Sequence, residues 1–149
     1  MKKNTENTNA LLLHLSAFCN FIFPFGGVIV PLILWQTKKG ESEFLDTQGK
    51  EVVNFNLSFL LYQTFIILCL GMVFIATFAN HWSLLKNIVI DDRFDVEMYL
   101  QDHHFFIPFV FMLVCGMFVF IKSALILIGA LKVKNGEAYK YPLTYTFIK

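Results

Sequence analysis

The residues able to do chemistry are few and scattered. Asp102-His103-His104, with Asp91, Asp92 and Asp95 upstream, offers imidazole and carboxylate donors of the kind that hold zinc. Adjacent histidines point apart on a helix or strand, and no recognised ligand spacing accompanies them. The expectation is a solvated loop with no metal. Cys19, Cys69 and Cys115 sit inside apolar stretches without a C-x-x-C pair, as small buried thiols do. No Ser-His-Asp order, H-E-x-x-H, phosphate loop or dinucleotide fingerprint occurs. A non-enzymatic protein with no cofactor is therefore expected.

Lys122 is the sharpest feature. It stands ten residues before Lys132 in an otherwise apolar run, about 15 Å along a helix. A lysine at the middle of a bilayer costs about 2.5–3.5 kcal/mol on insertion scales, so it usually faces protein or water. Gly116, Ser123 and Ala130 recur at seven-residue spacing, as do Cys115, Lys122 and Gly129. These stripes of small residues share one face, where helices pack closely. Two readings follow: Lys122 points into protein, or its stem snorkels toward the surface. By depth, Gln63 and Asn20 are its candidate companions in a midplane polar cluster. On the helix around Gln63, residues Glu51, Asn54, Ser58 and Tyr62 fall on one side and Asn56 and Gln63 on the other. These faces either line a polar pathway or bond neighbouring helices.

The elements that must position these residues are apolar. Hydrophobic residues make up 56% of 149, and 18 are Phe, more than a soluble domain this small can bury. No Asp, Glu, Lys or Arg lies between Glu6 and Lys38, between Glu51 and Lys86, or between Asp102 and Lys122. A transmembrane helix needs about 20 apolar residues. The pattern predicts an all-α polytopic membrane protein: a compact bundle of two full transmembrane helices plus a kinked or re-entrant N-terminal helical hairpin. Net charge is +1, which gives no field for nucleic acid.

The segments follow from punctuation. Residues 10–35 form the first apolar stretch, broken by Pro24, Gly26 and Gly27. Proline removes a helical hydrogen bond and the glycines permit a sharp turn, so this is a kinked span or a hairpin. Lys2 and Lys3 before it resemble a signal peptide, but no small-x-small cleavage site follows. Asp46 or Thr47 is the expected N-cap of a span over residues 52–78. A linker covers 80–104, a further span 105–131 and a tail 132–149. The alternation Tyr141, Leu143, Tyr145, Phe147 permits a short strand, kept to an edge by Pro142. There are no internal repeats.

Lysine placement orients the chain. With a hairpin, nine basic residues lie on one side (Lys2, Lys3, Lys38, Lys39, Lys50, Lys132, Lys134, Lys140, Lys149) and two on the other (Lys86, Arg93). The tail is then cytoplasmic, the linker faces outward, and the location is the cell inner membrane.

Two ordered motif sets carry a family resemblance. The first is His14-Leu15-Ser16, Pro24-Phe25-Gly26, Pro31-Leu32-Ile33, Trp35, Lys38-Lys39, Phe44-Leu45-Asp46, Gly49-Lys50-Glu51 and Asn54-Phe55. The second is Lys132-x-x-Asn135-Gly136-Glu137, Tyr141-Pro142-Leu143-Thr144 and Phe147-Ile148. Together they resemble small bacterial membrane proteins of a domain-of-unknown-function family, similar to the Tic-twenty subunit of the chloroplast inner-envelope translocon. The resemblance implies a compact helical membrane fold and a role in translocation or conductance, exercised as an oligomer. Three spans hardly enclose a wide pore. The first expectation is therefore an accessory or assembly subunit of a larger membrane complex, embedded in lipid and bound to a protein partner or to further copies of itself.

Overall fold

The computed structural model describes residues 2–80 and 106–149, and among these the protein is helical with no strand. The described residues form four α-helices: α1 Lys2–Leu15, α2 Gly26–Lys38, α3 Glu43–Asn80 and α4 Phe106–Lys134. A 3₁₀ helix over Ser16–Phe21 extends α1. The chain falls into two compact units, Met1–Tyr62 with Phe120–Lys149, and Gln63–Val119.

The first unit holds the core, where Ala10, Leu13, Trp35, Leu45, Val53 and Val133 pack together. All four helices contribute to it. The helical path breaks at Ile22–Phe25, where Phe25 adopts a left-handed conformation (φ 63°) as α2 begins. Gly26 fits because a Cβ there would run into the Cys19 carbonyl. Pro31 lies inside α2 and is buried. Beyond the break α2 packs back on the 3₁₀ helix and on α1. Asn9 Nδ2 then donates to Glu41 Oε2 at 3.2 Å, so the two ends of the segment meet. Residues 10–35 therefore fold as a hairpin.

The start of α3 departs from the sequence expectation. The helix begins at Glu43, and Ser42 Oγ accepts from Leu45 N at 3.2 Å. Serine is a strong N-cap because its hydroxyl pairs an otherwise orphaned amide. Asp46 is drawn elsewhere: it accepts from Trp35 Nε1 at 2.9 Å and pairs with Lys50 at 2.7 Å. Gly49 lies flat against the Trp35 indole, where a Cβ would collide with the ring. Trp35, Asp46, Gly49 and Lys50 thus form one corner between α2 and α3. Gly49→Ala is expected to cost about 1–3 kcal/mol by overpacking, read as a lower melting temperature in detergent. An unchanged melt would show that the corner relaxes freely.

The last helix ends at a glycine stop. Gly136 has φ 81°, Gly136 N donates to Val133 O, and Glu137 N donates to Lys132 O. This paired arrangement satisfies the last carbonyls of a helix. The tail beyond it is irregular, not a strand. Its backbone bonds go to side chains of α3 rather than to another extended segment, which removes the partner a strand would need.

Among the described residues, two stretches are long and apolar enough to cross a membrane, Glu43–Val73 in α3 and Phe109–Lys134 in α4. Only 17% and 11% of their most apolar portions are buried inside the protein. A soluble core helix would be covered. Here Phe65, Leu68 and Met72 on α3, and Met112, Met117 and Phe120 on α4, stand exposed.

Candidate functional site: a buried polar core beneath a C-terminal strap

The polar residues of the first unit gather where α1, α3, α4 and the tail meet. His14 is fully buried, with Gln48 and Tyr141 beside it at 1% and 3% exposure. A hydrogen bond of 2.7 Å joins His14 Nδ1 to the Tyr141 hydroxyl, and the two rings stack. Tyr141 also stacks on Phe55, with centroids 4.0 Å apart. On the far side of the imidazole, Nε2 is buried next to Gln48 without a hydrogen bond of good geometry. Gly129 lets α4 approach this group: a Cβ there would lie 2.7 Å from His14 Nδ1 and 2.8 Å from the Tyr141 hydroxyl. Gly129→Leu is expected to eject Tyr141 from its stack. Tyrosine fluorescence and proteolysis of the tail would report it.

The tail is held as a strap along one side of α3. Gln48 Oε1 accepts from Tyr139 N at 3.2 Å. The Tyr62 hydroxyl donates to Leu143 O at 3.2 Å. The chain then reverses at Leu143, which has φ 59°. On the way back Ser58 Oγ accepts from Tyr145 N at 2.8 Å. Asn54 Oδ1 accepts from Phe147 N at 3.1 Å and Ile148 N at 2.8 Å, and Asn54 Nδ2 donates to Ile148 O at 2.9 Å. The polar stripe Asn54, Ser58 and Tyr62 therefore binds the chain's own backbone. Glu51, on the same side, keeps Oε2 buried without a hydrogen-bond partner. Pro142 lies at the bend and is exposed.

The midplane residues divide between the units. Lys122 is 7% exposed and makes no ion pair or hydrogen bond among the described residues. Asn7 Nδ2 donates to Lys134 O and His14 abuts Gly129, so α1 and α4 run antiparallel. Continued along the helices, that register sets Lys122 level with the 3₁₀ helix that carries Asn20. Asn20 meets Asn56 across Gly27: a Cβ on Gly27 would lie 2.9 Å from Asn20 Cβ and 3.2 Å from Asn56 Oδ1. Asn56 Oδ1 is itself buried without a partner. Gln63 belongs to the second unit.

Among the described residues, no group of three or more His, Cys, Asp or Glu side chains is placed to hold a metal ion. Asp102, His103 and His104 lie outside the described residues. Sequence reasoning missed the strap. It found the stripe on α3 and the alternation in the tail but took them separately. The signal was there in the four-residue spacing of Asn54, Ser58 and Tyr62, opposite a segment with too few partners of its own.

No curated protein matches the sequence and no solved structure matches it either. The family model that does match, over residues 5–148, describes magnetosome magnetite crystal formation proteins (MamF/MmsF). This corrects the resemblance to a Tic-like family, and with it the expectation of translocation or conductance. The quoted motifs are the packing points described above: the hairpin turn, the Trp35 corner, the helix stop and the strap. They specify a fold, and a fold alone does not carry the translocon's role. The match runs through both apolar helices and nearly the whole chain: this is a membrane-associated protein that belongs to the magnetosome magnetite crystal formation family.

Proposed function

We propose that the protein is a non-enzymatic, multi-pass integral membrane protein that acts as an accessory or assembly component in magnetite crystal formation. The observation that carries this reading is the family match, joined to two long helices whose apolar surface is left uncovered. The polar side chains around His14 and Asn54 support a structural role, because they are spent on holding the tail. The test is genetic. Removing the protein from a magnetite-forming cell, or supplying it to one that lacks its own family members, is expected to change crystal size or shape. Crystals of unaltered dimensions in both settings would refute the reading. Native co-purification distinguishes a heteromeric partner from self-association.

In this reading α3 and α4 cross the bilayer and the N-terminal hairpin re-enters. Neither arm offers an apolar stretch long enough for a core about 30 Å thick, since α2 has 13 residues and the first arm is apolar only from Ala10 to Phe21. Its turn is apolar and open, with Ile22 at 78% and Phe25 at 56% exposure, as suits a turn that ends in lipid. The lysine bias places Gly49 and Asn135 on the cytoplasmic side. Single cysteines at these positions, in a background without Cys19, Cys69 and Cys115, are expected to resist an impermeant thiol reagent in intact cells. Prompt labelling of either would invert the topology.

A further inference from the structure

We propose that the C-terminal strap is a second re-entrant element, whose outer row Leu143, Tyr145 and Phe147 contacts lipid acyl chains. This rests on the membrane reading of α3 and α4. Two measures of depth agree. The strap's tip bonds Tyr62, ten residues beyond Val52, where the charge-free part of α3 begins. At 1.5 Å per residue that is about 15 Å, half of a bilayer core. On the other flank, Tyr141 abuts Gly129 of α4, already three residues inside Lys132. The strap goes on from Tyr141, which stacks on Phe55, to Tyr62, two turns further along α3. It then returns to Asn54, with Lys149 following Ile148 there.

Irregular backbone at such a depth is tolerated only where protein satisfies its polar groups. Asn54, Ser58, Tyr62 and Gln48 do so for much of the strap, pairing the amides of Tyr139, Tyr145, Phe147 and Ile148 and the carbonyls of Leu143 and Ile148. The large exposed side chains of the strap are apolar or aromatic, with Leu143, Tyr145 and Phe147 at 68%, 66% and 44% exposure, and the small Thr146 is exposed between them. Lysines flank the strap at its two shallow ends, Lys140 and Lys149, where headgroups lie. A tail in water would have neither need. The strap covers the polar stripe of α3 and turns an apolar surface outward in its place.

The test uses the full chain in lipid bilayers. Nitroxide labels are placed singly at Leu143, Tyr145, Phe147, Ile67 and Glu137 in the cysteine-free background. Collision with oxygen reports lipid, and collision with a water-soluble nickel chelate reports solvent. Leu143 and Ile67 are expected to favour oxygen several-fold over Glu137, with depth falling in the order Leu143, Tyr145, Phe147. If Ile67 reads as lipid but Leu143 reads as water, the strap proposal is overturned while the membrane reading stands. Equal depth at all three strap positions also overturns it, since the segment would then lie flat at the interface. If Ile67 itself reads as water, the membrane reading falls and takes the strap with it.

Discussion

Asn54→Leu is expected to free the end of the C-terminal strap and to destabilise the first unit by about 2–5 kcal/mol. One side chain here makes three hydrogen bonds, to Phe147 N, Ile148 N and Ile148 O. Asn54 is 3% exposed, so water cannot simply replace it. An amide or carbonyl left unpaired in such a place costs about 1–3 kcal/mol. The sum is less than threefold that, because the strap's end can swing away and find solvent. Hydrogen exchange of the amides after Leu143 is the direct measurement and should accelerate strongly at Phe147 and Ile148. Amides around Tyr139, fixed by Gln48, should change less. Asn54→Asp is the informative companion. It keeps the acceptor for two amides, but it loses the donor to Ile148 O and places a carboxyl in a buried site, so it too should destabilise while leaving Phe147 and Ile148 better protected than Asn54→Leu does. Equal protection in wild type and Asn54→Leu would mean the three bonds do not hold the strap.

The same residues show what the sequence makes legible. The break near Pro24, the apolar lengths of α3 and α4, and the polar stripe on α3 are all readable, because each depends on local spacing. What the stripe binds is not local. Asn54 and Ile148 are 94 residues apart, and nothing in either segment's periodicity names the other. Tyr141 likewise meets His14 across 127 residues. The N-cap of α3 was misplaced for a different reason. Asp46 and Ser42 are both good caps, and only the position of Trp35, brought round by the hairpin, decides that Asp46 bonds the indole and leaves the cap to Ser42. The family resemblance erred because motifs that serve packing do not by themselves specify a family's function.

Lys122→Met is expected to raise stability. Lys122 is 7% exposed on the face of α4 that also carries Ile126, Gly129, Ala130 and Val133 into the core. Among the described residues its amine has no carboxylate or hydrogen-bond partner. A largely buried charge without a carboxylate beside it loses much of its hydration and gains little in exchange, and replacing buried ionic groups with apolar ones of similar volume is often stabilising by about 1–4 kcal/mol. Methionine suits the exchange, because its unbranched chain fills nearly the same track and adapts to irregular space. A shorter residue would confound the result with a cavity. Thermal or denaturant unfolding of the purified protein in lipid-like detergent reads the sign. A gain identifies Lys122 as a residue kept at a cost to stability, and such residues inside membranes are by default functional ones. Crystal dimensions in cells carrying the variant then separate two cases. A more stable protein that accumulates in the membrane yet fails to support crystal formation places Lys122 in the activity. A more stable protein that supports it fully makes the lysine dispensable, and a less stable one would show that the amine has found a partner after all.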